Sequence, residues 1–125
     1  MNKIVDGETF HFPDRKLVFI CSHYSGSVKQ NIESAKKYAR YAALKGNAVF
    51  VPHLLYPQFL DDAKENEREI GIRSGIEFLR LCDEIWVFAK DEQCCSNGMK
   101  AEIAEAKKNP TMKIMYIDPE SINVI

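Results

Sequence analysis

Leu17-Val18-Phe19-Ile20-Cys21-Ser22-His23-Tyr24-Ser25-Gly26-Ser27 is the stretch on which the fold turns. Its first five residues are apolar without a break, which suits a strand covered on both faces. The next six are polar and include a glycine, so the chain leaves the strand through a loop. Beyond it Val28, Ile32, Ala35, Ala39 and Ala42 recur at helical spacing, with Gly46 as the stop. A strand that passes through a helix into another strand lays the two strands parallel.

The same rhythm continues outward. Residues 48–51 read as a second strand closed by Pro52, residues 84–89 as a third, and residues 113–117 as a fourth ended by Asp118-Pro119. Helices are predicted over 63–81 and 98–108, with Asp61, Asp62 and Glu65 at the start of the first, where the helix dipole favours anions. Strands alternating with helices predict an α/β domain with a mainly parallel sheet of four to five strands. Upstream, Lys3-Ile4-Val5 and Glu8-Thr9-Phe10 flank Asp6-Gly7, a two-residue turn suited to a β-hairpin. The expected division is a hairpin extension over 1–15 and one domain over 16–125.

Composition narrows the function. With 17 basic and 18 acidic residues the net charge is −1, so no general field attracts a nucleic-acid polymer or an anionic membrane. No apolar run approaches the roughly 20 residues needed to span a bilayer. No secretory leader is recognised, so a cytoplasmic location with reduced thiols is expected. Cys21 and Cys82 read as small buried hydrophobes, and the adjacent Cys94 and Cys95 have poor zinc spacing. Neither a metal nor a cofactor is expected.

Ligands of open parallel sheets bind outside the carboxyl ends of the strands. That rule singles out the loops over 22–27, 53–62 and 90–97. The first opens directly into a helix, whose free N–H groups bind anions, and its serines add hydroxyls. The same serines would equally serve as caps. It is neither a Walker loop nor the dinucleotide fingerprint. The second offers His53, Tyr56, Gln58 and Phe59 as an aromatic wall with hydrogen bonds for a base, or else Leu55, Tyr56 and Phe59 pack beneath the loop or at a subunit contact. The third leads into Ser96-Asn97-Gly98-Met99-Lys100-Ala101-Glu102. Gly98 permits close backbone approach, and Glu102, about one turn into the helix, leans back toward the strand ends. There a carboxylate serves as a nucleophile or steadies a cationic transition state, unless it is only a solvated helix residue. Glu105 and Lys108 are expected to face water, and Asp83 to be structural.

From residue 16 to 117 the chain resembles the nucleoside 2-deoxyribosyltransferase-like superfamily, in its small bacterial and phage branch. The resemblance rests on Phe19-Ile20-Cys21-Ser22 with Tyr24-Ser25-Gly26, Asn31-Ile32-Glu33 with Ala35, and Pro52 through Leu60. It continues through Cys82 to Phe88, then Ser96, Gly98, Met99, Glu102 and Ile103. It implies a flavodoxin-like or Rossmann-like three-layer sandwich, N-glycosidic bond cleavage or deoxyribosyl transfer, and a homodimer or larger homo-oligomer. By resemblance Glu102 is the nucleophile, and Ser96 is like the serine that binds phosphate in the 5′-monophosphate N-glycosidase branch. The implied partner is a small nucleoside or nucleotide held by Ser22, His23, Tyr24, Ser25, Gly26, His53, Tyr56, Phe59, Ser96, Asn97 and Gly98. One position departs from the pattern: Gly75 stands where family enzymes carry a catalytic aspartate. Arg73, Glu69 or His53 are the candidates to replace it. A catalytically weak module that senses or sequesters a nucleotide is the alternative reading, and a purely structural oligomerisation domain a third.

Overall fold

In the computed structural model, which describes residues 2–5, 8–11, 15–24 and 26–122, two short strands come first. β1 (Asn2–Val5) and β2 (Glu8–His11) pair antiparallel in a sheet of their own. The Asp6-Gly7 turn expected between them lies outside the described residues. The main chain path then runs β3 (Leu17–Cys21), α1 (Val28–Leu44), β4 (Ala48–Phe50), α2 (Pro52–Leu55) and α3 (Glu65–Leu79). It finishes with β5 (Glu84–Val87), α4 (Asn97–Lys107) and β6 (Lys113–Tyr116).

The last four strands form one parallel sheet in the order β4-β3-β5-β6. The chain steps outward from β3 to β4, then returns across β3 to lay down β5. This is a flavodoxin-like α/β order, and its reversal opens a crevice between the carboxyl ends of β3 and β5.

Both faces of the central strands are covered, which is why β3 reads as an unbroken apolar run. Phe19, Cys21, Ile85 and Val87 point to one face, where Leu79 of α3 and Met99, Ile103 and Ala106 of α4 meet them. Val18, Ile20, Trp86 and Phe88 point to the other, against Ala42, Tyr38 and Tyr41 of α1. Phe19 and Ile85 are fully enclosed, and each such side chain stabilises the fold by roughly 1.5–3 kcal/mol. Asp83 pins the amino end: its Oδ2 accepts from Leu17 N at 2.8 Å, and its own N donates to Leu17 O at 2.8 Å.

Several expected boundaries shift, each for a local reason. Residues 53–62 are not a plain loop, because Pro52 opens α2 with an N–H it does not need and a 3-10 turn follows over Tyr56–Gln58. α3 starts at Glu65, after a turn in which Asp61 Oδ1 accepts from Ala63 N at 2.9 Å and Glu67 Oε1 accepts from Asp61 N at 3.0 Å. No helix among the described residues is long and apolar enough to cross a membrane.

Candidate functional site at the sheet's carboxyl edge

Cys21 ends β3 inside the core, and the next residue, Ser22, is still 97% covered, with 3% of its surface exposed. Its hydroxyl oxygen is enclosed and has no hydrogen-bond partner. Exposed His23 reaches across the crevice, its Nε2–H donating to Cys94 O at 3.2 Å. Tyr24 turns the other way. Its carbonyl accepts from Asn31 Nδ2 at 2.9 Å, and its ring stacks on His53 with centroids 4.8 Å apart and planes at 25°. His53 in turn donates from Nε2 to Ser22 O at 3.0 Å. Three separate segments thus meet at the strand ends, tied through His23 and His53.

Ser25 lies outside the described residues. Gly26 has φ +89°, a left-handed conformation that suits glycine, and it swings the chain into α1. Ser27 precedes α1 without making a side-chain cap. α4 is capped differently: Ser96 Oγ accepts from Met99 N at 3.3 Å, which leaves its own proton to donate elsewhere. Asn97 and Gly98 are exposed beside it.

Met99, Ile103 and Ala106 anchor α4 to the core and so fix the direction of Glu102. Its carboxyl turns inward rather than to water. Oε1 is enclosed and meets no donor. Burial pushes its pKa up to about 8, while a hydrogen bond with the Cys21 thiol pulls the other way. Burial raises the Cys21 thiol well above its ordinary range, with Glu102 adding to the shift, and Cys21 Sγ lies 3.9 Å from Met99 O. A carboxyl with a pKa near 8 is only about one-tenth ionised at pH 7. At pH 7 Glu102 is therefore chiefly a neutral acid.

Tyr56 and Phe59 engage a different set of neighbours. Tyr56 meets Phe50 edge-on at 6.3 Å and Phe59 at 5.8 Å, and its Cβ packs against Gly71. Phe59 is exposed. The stacked aromatic surface at the strand ends belongs to Tyr24 and His53.

Gly75 is buried, and a Cβ there would touch Pro52 Cβ at an ordinary 3.5 Å. Arg73 and Glu69 pair with each other at 2.7 Å on the exposed side of α3. Glu105, expected in water, is instead closed in by Arg80 at 2.8 Å and Lys108 at 3.2 Å, because α4 packs beside the end of α3. Sequence reading missed the role of Asp62, which lies against the Tyr24 phenol. Burial and then Asp62 push that phenol up to about 12. The only sequence signal was an acid just before a helix.

Two open hollows, of about 300 and 580 Å³, lie at the opposite edge. Leu79, Arg80 and Met112 line the smaller, and Lys16, Asp83 and Glu84 the larger. Lys16 pairs there with Glu84, and Arg80 and Lys108 with Glu105, whereas the enclosed unpartnered atoms lie at the carboxyl edge. Among the described residues no cluster of three or more His, Cys, Asp or Glu could hold a metal ion, and all four cysteines are free.

The family model described as a domain of unknown function (DUF7768) matches residues 16–117, and the chain belongs to that family. No curated protein matches the sequence. Among solved structures it is similar to a 2-deoxyribosyltransferase from the psychrotolerant bacterium Bacillus psychrosaccharolyticus. The TM-score is 0.62 at 15% identity, over 86% of this chain and 77% of that one. At that identity the likeness shows a shared fold.

Proposed function

We propose that this domain opens the N-glycosidic bond of a nucleoside or nucleoside 5′-monophosphate, passing the sugar to another base or to water, with Glu102 as nucleophile. The observation that carries the reading is the Glu102 carboxyl, drawn out of water at the sheet's carboxyl edge with one oxygen lacking any donor. Such a group destabilises the fold that holds it. A strongly shifted acid in a crevice is a mark of a working site. The fold shared with a deoxyribosyltransferase supports the same reading.

The rest of the crevice fits a nucleotide. The free hydroxyl of Ser22 suits a sugar hydroxyl or a phosphate oxygen. The start of α4, with Ser96, Asn97 and Gly98, presents backbone N–H groups at the positive end of the helix dipole. The Tyr24–His53 stack offers an aromatic surface to a base. His23, Ser25 and Gly26 complete the first loop, and Tyr56 and Phe59 stand at the outer margin.

Attack requires the ionised carboxylate. Release of free base by the wild-type protein is followed by chromatography over deoxynucleosides, ribonucleosides and their monophosphates. Glu102→Ala should abolish it. No release from any substrate, or release that survives Glu102→Ala, overturns the reading.

A second reading, a nucleotide-binding module with little turnover, is favoured by Gly75, which places no carboxyl beside Pro52. Calorimetry showing tight binding without base release selects it. A homodimer or larger homo-oligomer is part of the proposal, supported by the exposed Ile70, Phe78 and Leu81 at α3. A monomer by light scattering overturns that part.

A further inference from the structure

A departing base needs a proton, and the water that later attacks the sugar must lose one. His53, the second residue of α2, is held on two sides: Nε2–H donates to Ser22 O at 3.0 Å, and the ring lies on Tyr24 at 4.8 Å. A carbonyl takes only a donor, so the neutral ring carries its proton on Nε2 and a lone pair on Nδ1. The enclosed unpartnered atoms among the described residues are Ser22 Oγ and Glu102 Oε1. Nδ1 is not one of them, and no hydrogen bond among the described residues takes it up.

The groups facing the ring are the Tyr24 phenol, the Ser22 carbonyl and the Asp62 carboxylate. Burial lowers the His53 pKa, while Ser22 and then Asp62 oppose the shift. At neutral pH the resting crevice therefore holds one proton on Glu102 and none on Nδ1.

Resting on the nucleophile reading above, we propose that His53 is the proton-handling catalytic residue of the crevice. It takes the proton that Glu102 sheds, through a substrate hydroxyl or water, and delivers it to the leaving base. The Glu102 carboxylate then forms a bond to C1′ while the C1′–N bond breaks. The electron pair goes to the base nitrogen, which takes the proton from Nδ1. Water next attacks C1′, the neutral Nδ1 accepts its proton, and the C1′–O bond to Glu102 breaks with its electrons returning to the carboxylate. The net change is water added across C1′–N, with nothing oxidised or reduced.

His53→Gln is the diagnostic variant, because its side-chain amide still donates to Ser22 O yet cannot titrate. Two substrates are compared: a natural deoxynucleoside, whose base leaves poorly without a proton, and a 4-nitrophenyl 2-deoxyriboside, whose phenolate leaves unaided. We expect kcat on the nucleoside to fall by about 10²–10⁴-fold and kcat on the nitrophenyl substrate to change far less. Equal losses on both, or a nucleoside kcat and pH profile like the wild type, would leave His53 a mere loop anchor and overturn the assignment. No base release by the wild-type protein sinks the nucleophile reading and this assignment together, so the two failures are told apart. A thermal melt of the variant matching the wild type guards against loss of fold.

Discussion

Glu84 opens β5 at the amino edge of the sheet, and Glu102 reaches the carboxyl edge from α4. Both carboxyls are drawn out of water. At Glu84 each oxygen has its own donor, Trp86 Nε1 on one and Lys16 Nζ on the other, both at 2.9 Å. Burial pushes its pKa up, but those bonds and the nearby charge of Lys113 outweigh it and hold the carboxyl below the ordinary value. At Glu102 one oxygen has no donor, burial wins, and the pKa rises to about 8. Desolvation acts in the same direction at both ends, so the difference lies in the supply of partners. The amino edge is closed with paired charges, whereas the carboxyl edge holds an acid and a hydroxyl that still lack theirs.

The sharpest way to break this contrast is to make both acids amides. Glu102→Gln should lower base release by on the order of 10⁴-fold or more, as loss of a nucleophile does, while the protein stays folded. Glu84→Gln should leave base release within about twofold while weakening the fold by about 1–3 kcal/mol, because Lys16 and Trp86 then face a poorer acceptor. If Glu84→Gln silences the protein and Glu102→Gln does not, the functional edge has been misplaced.

The two acids should also carry opposite pH dependence of stability. Glu102 keeps its proton in the fold up to about pH 8, whereas an unfolded glutamate loses it near 4.5. Its contribution is therefore complete below about pH 4.5 and is lost as pH rises toward 8. Glu84, held below its ordinary value, contributes above that value and loses the contribution as pH falls. Urea melts at pH 5 and pH 8 measure the first effect. Glu102→Gln should recover several kcal/mol at pH 8 relative to pH 5. An unchanged difference would mean that Glu102 is solvated or paired in the fold.

The architecture was legible because it follows from local pattern. β3 is apolar on both faces, helical spacing runs through α1, and the strands recur between helices, so a parallel sheet was forced. From spacing alone Glu102 was legible as a candidate by its place one turn into a helix that follows a strand end, and its role as nucleophile came from the resemblance. The contrast between Glu84 and Glu102 was not legible at all. Each sits beside apolar residues in the sequence, and although Trp86 lies two residues from Glu84, its second donor, Lys16, comes beside it only through the pairing of β3 with β5, across 68 residues. The Tyr24–His53 stack likewise joins segments distant in sequence, and no local periodicity reports it. The second segment reads as a loop in the sequence because its apolar residues follow no strand or long-helix period. They pack beneath α3 and against Phe50 instead.

The smallest expected effects separate two serines that look alike in the sequence. Ser96 Oγ is occupied as the cap of α4, so Ser96→Ala should cost about 1 kcal/mol of stability, the usual worth of a cap. Ser22 Oγ is enclosed with nothing to bond, so removing it relieves an unmet hydrogen-bond demand, and Ser22→Ala should leave stability unchanged or raise it by up to about 1 kcal/mol. If that hydroxyl waits for a ligand, the same change should weaken nucleotide binding by about three- to tenfold, the worth of one hydrogen bond. Thermal melts with and without a nucleoside monophosphate read both effects in one experiment. A Ser22→Ala protein that is destabilised yet binds normally would put Ser22 with the satisfied groups of the amino edge, and Glu102 would be left alone at the other.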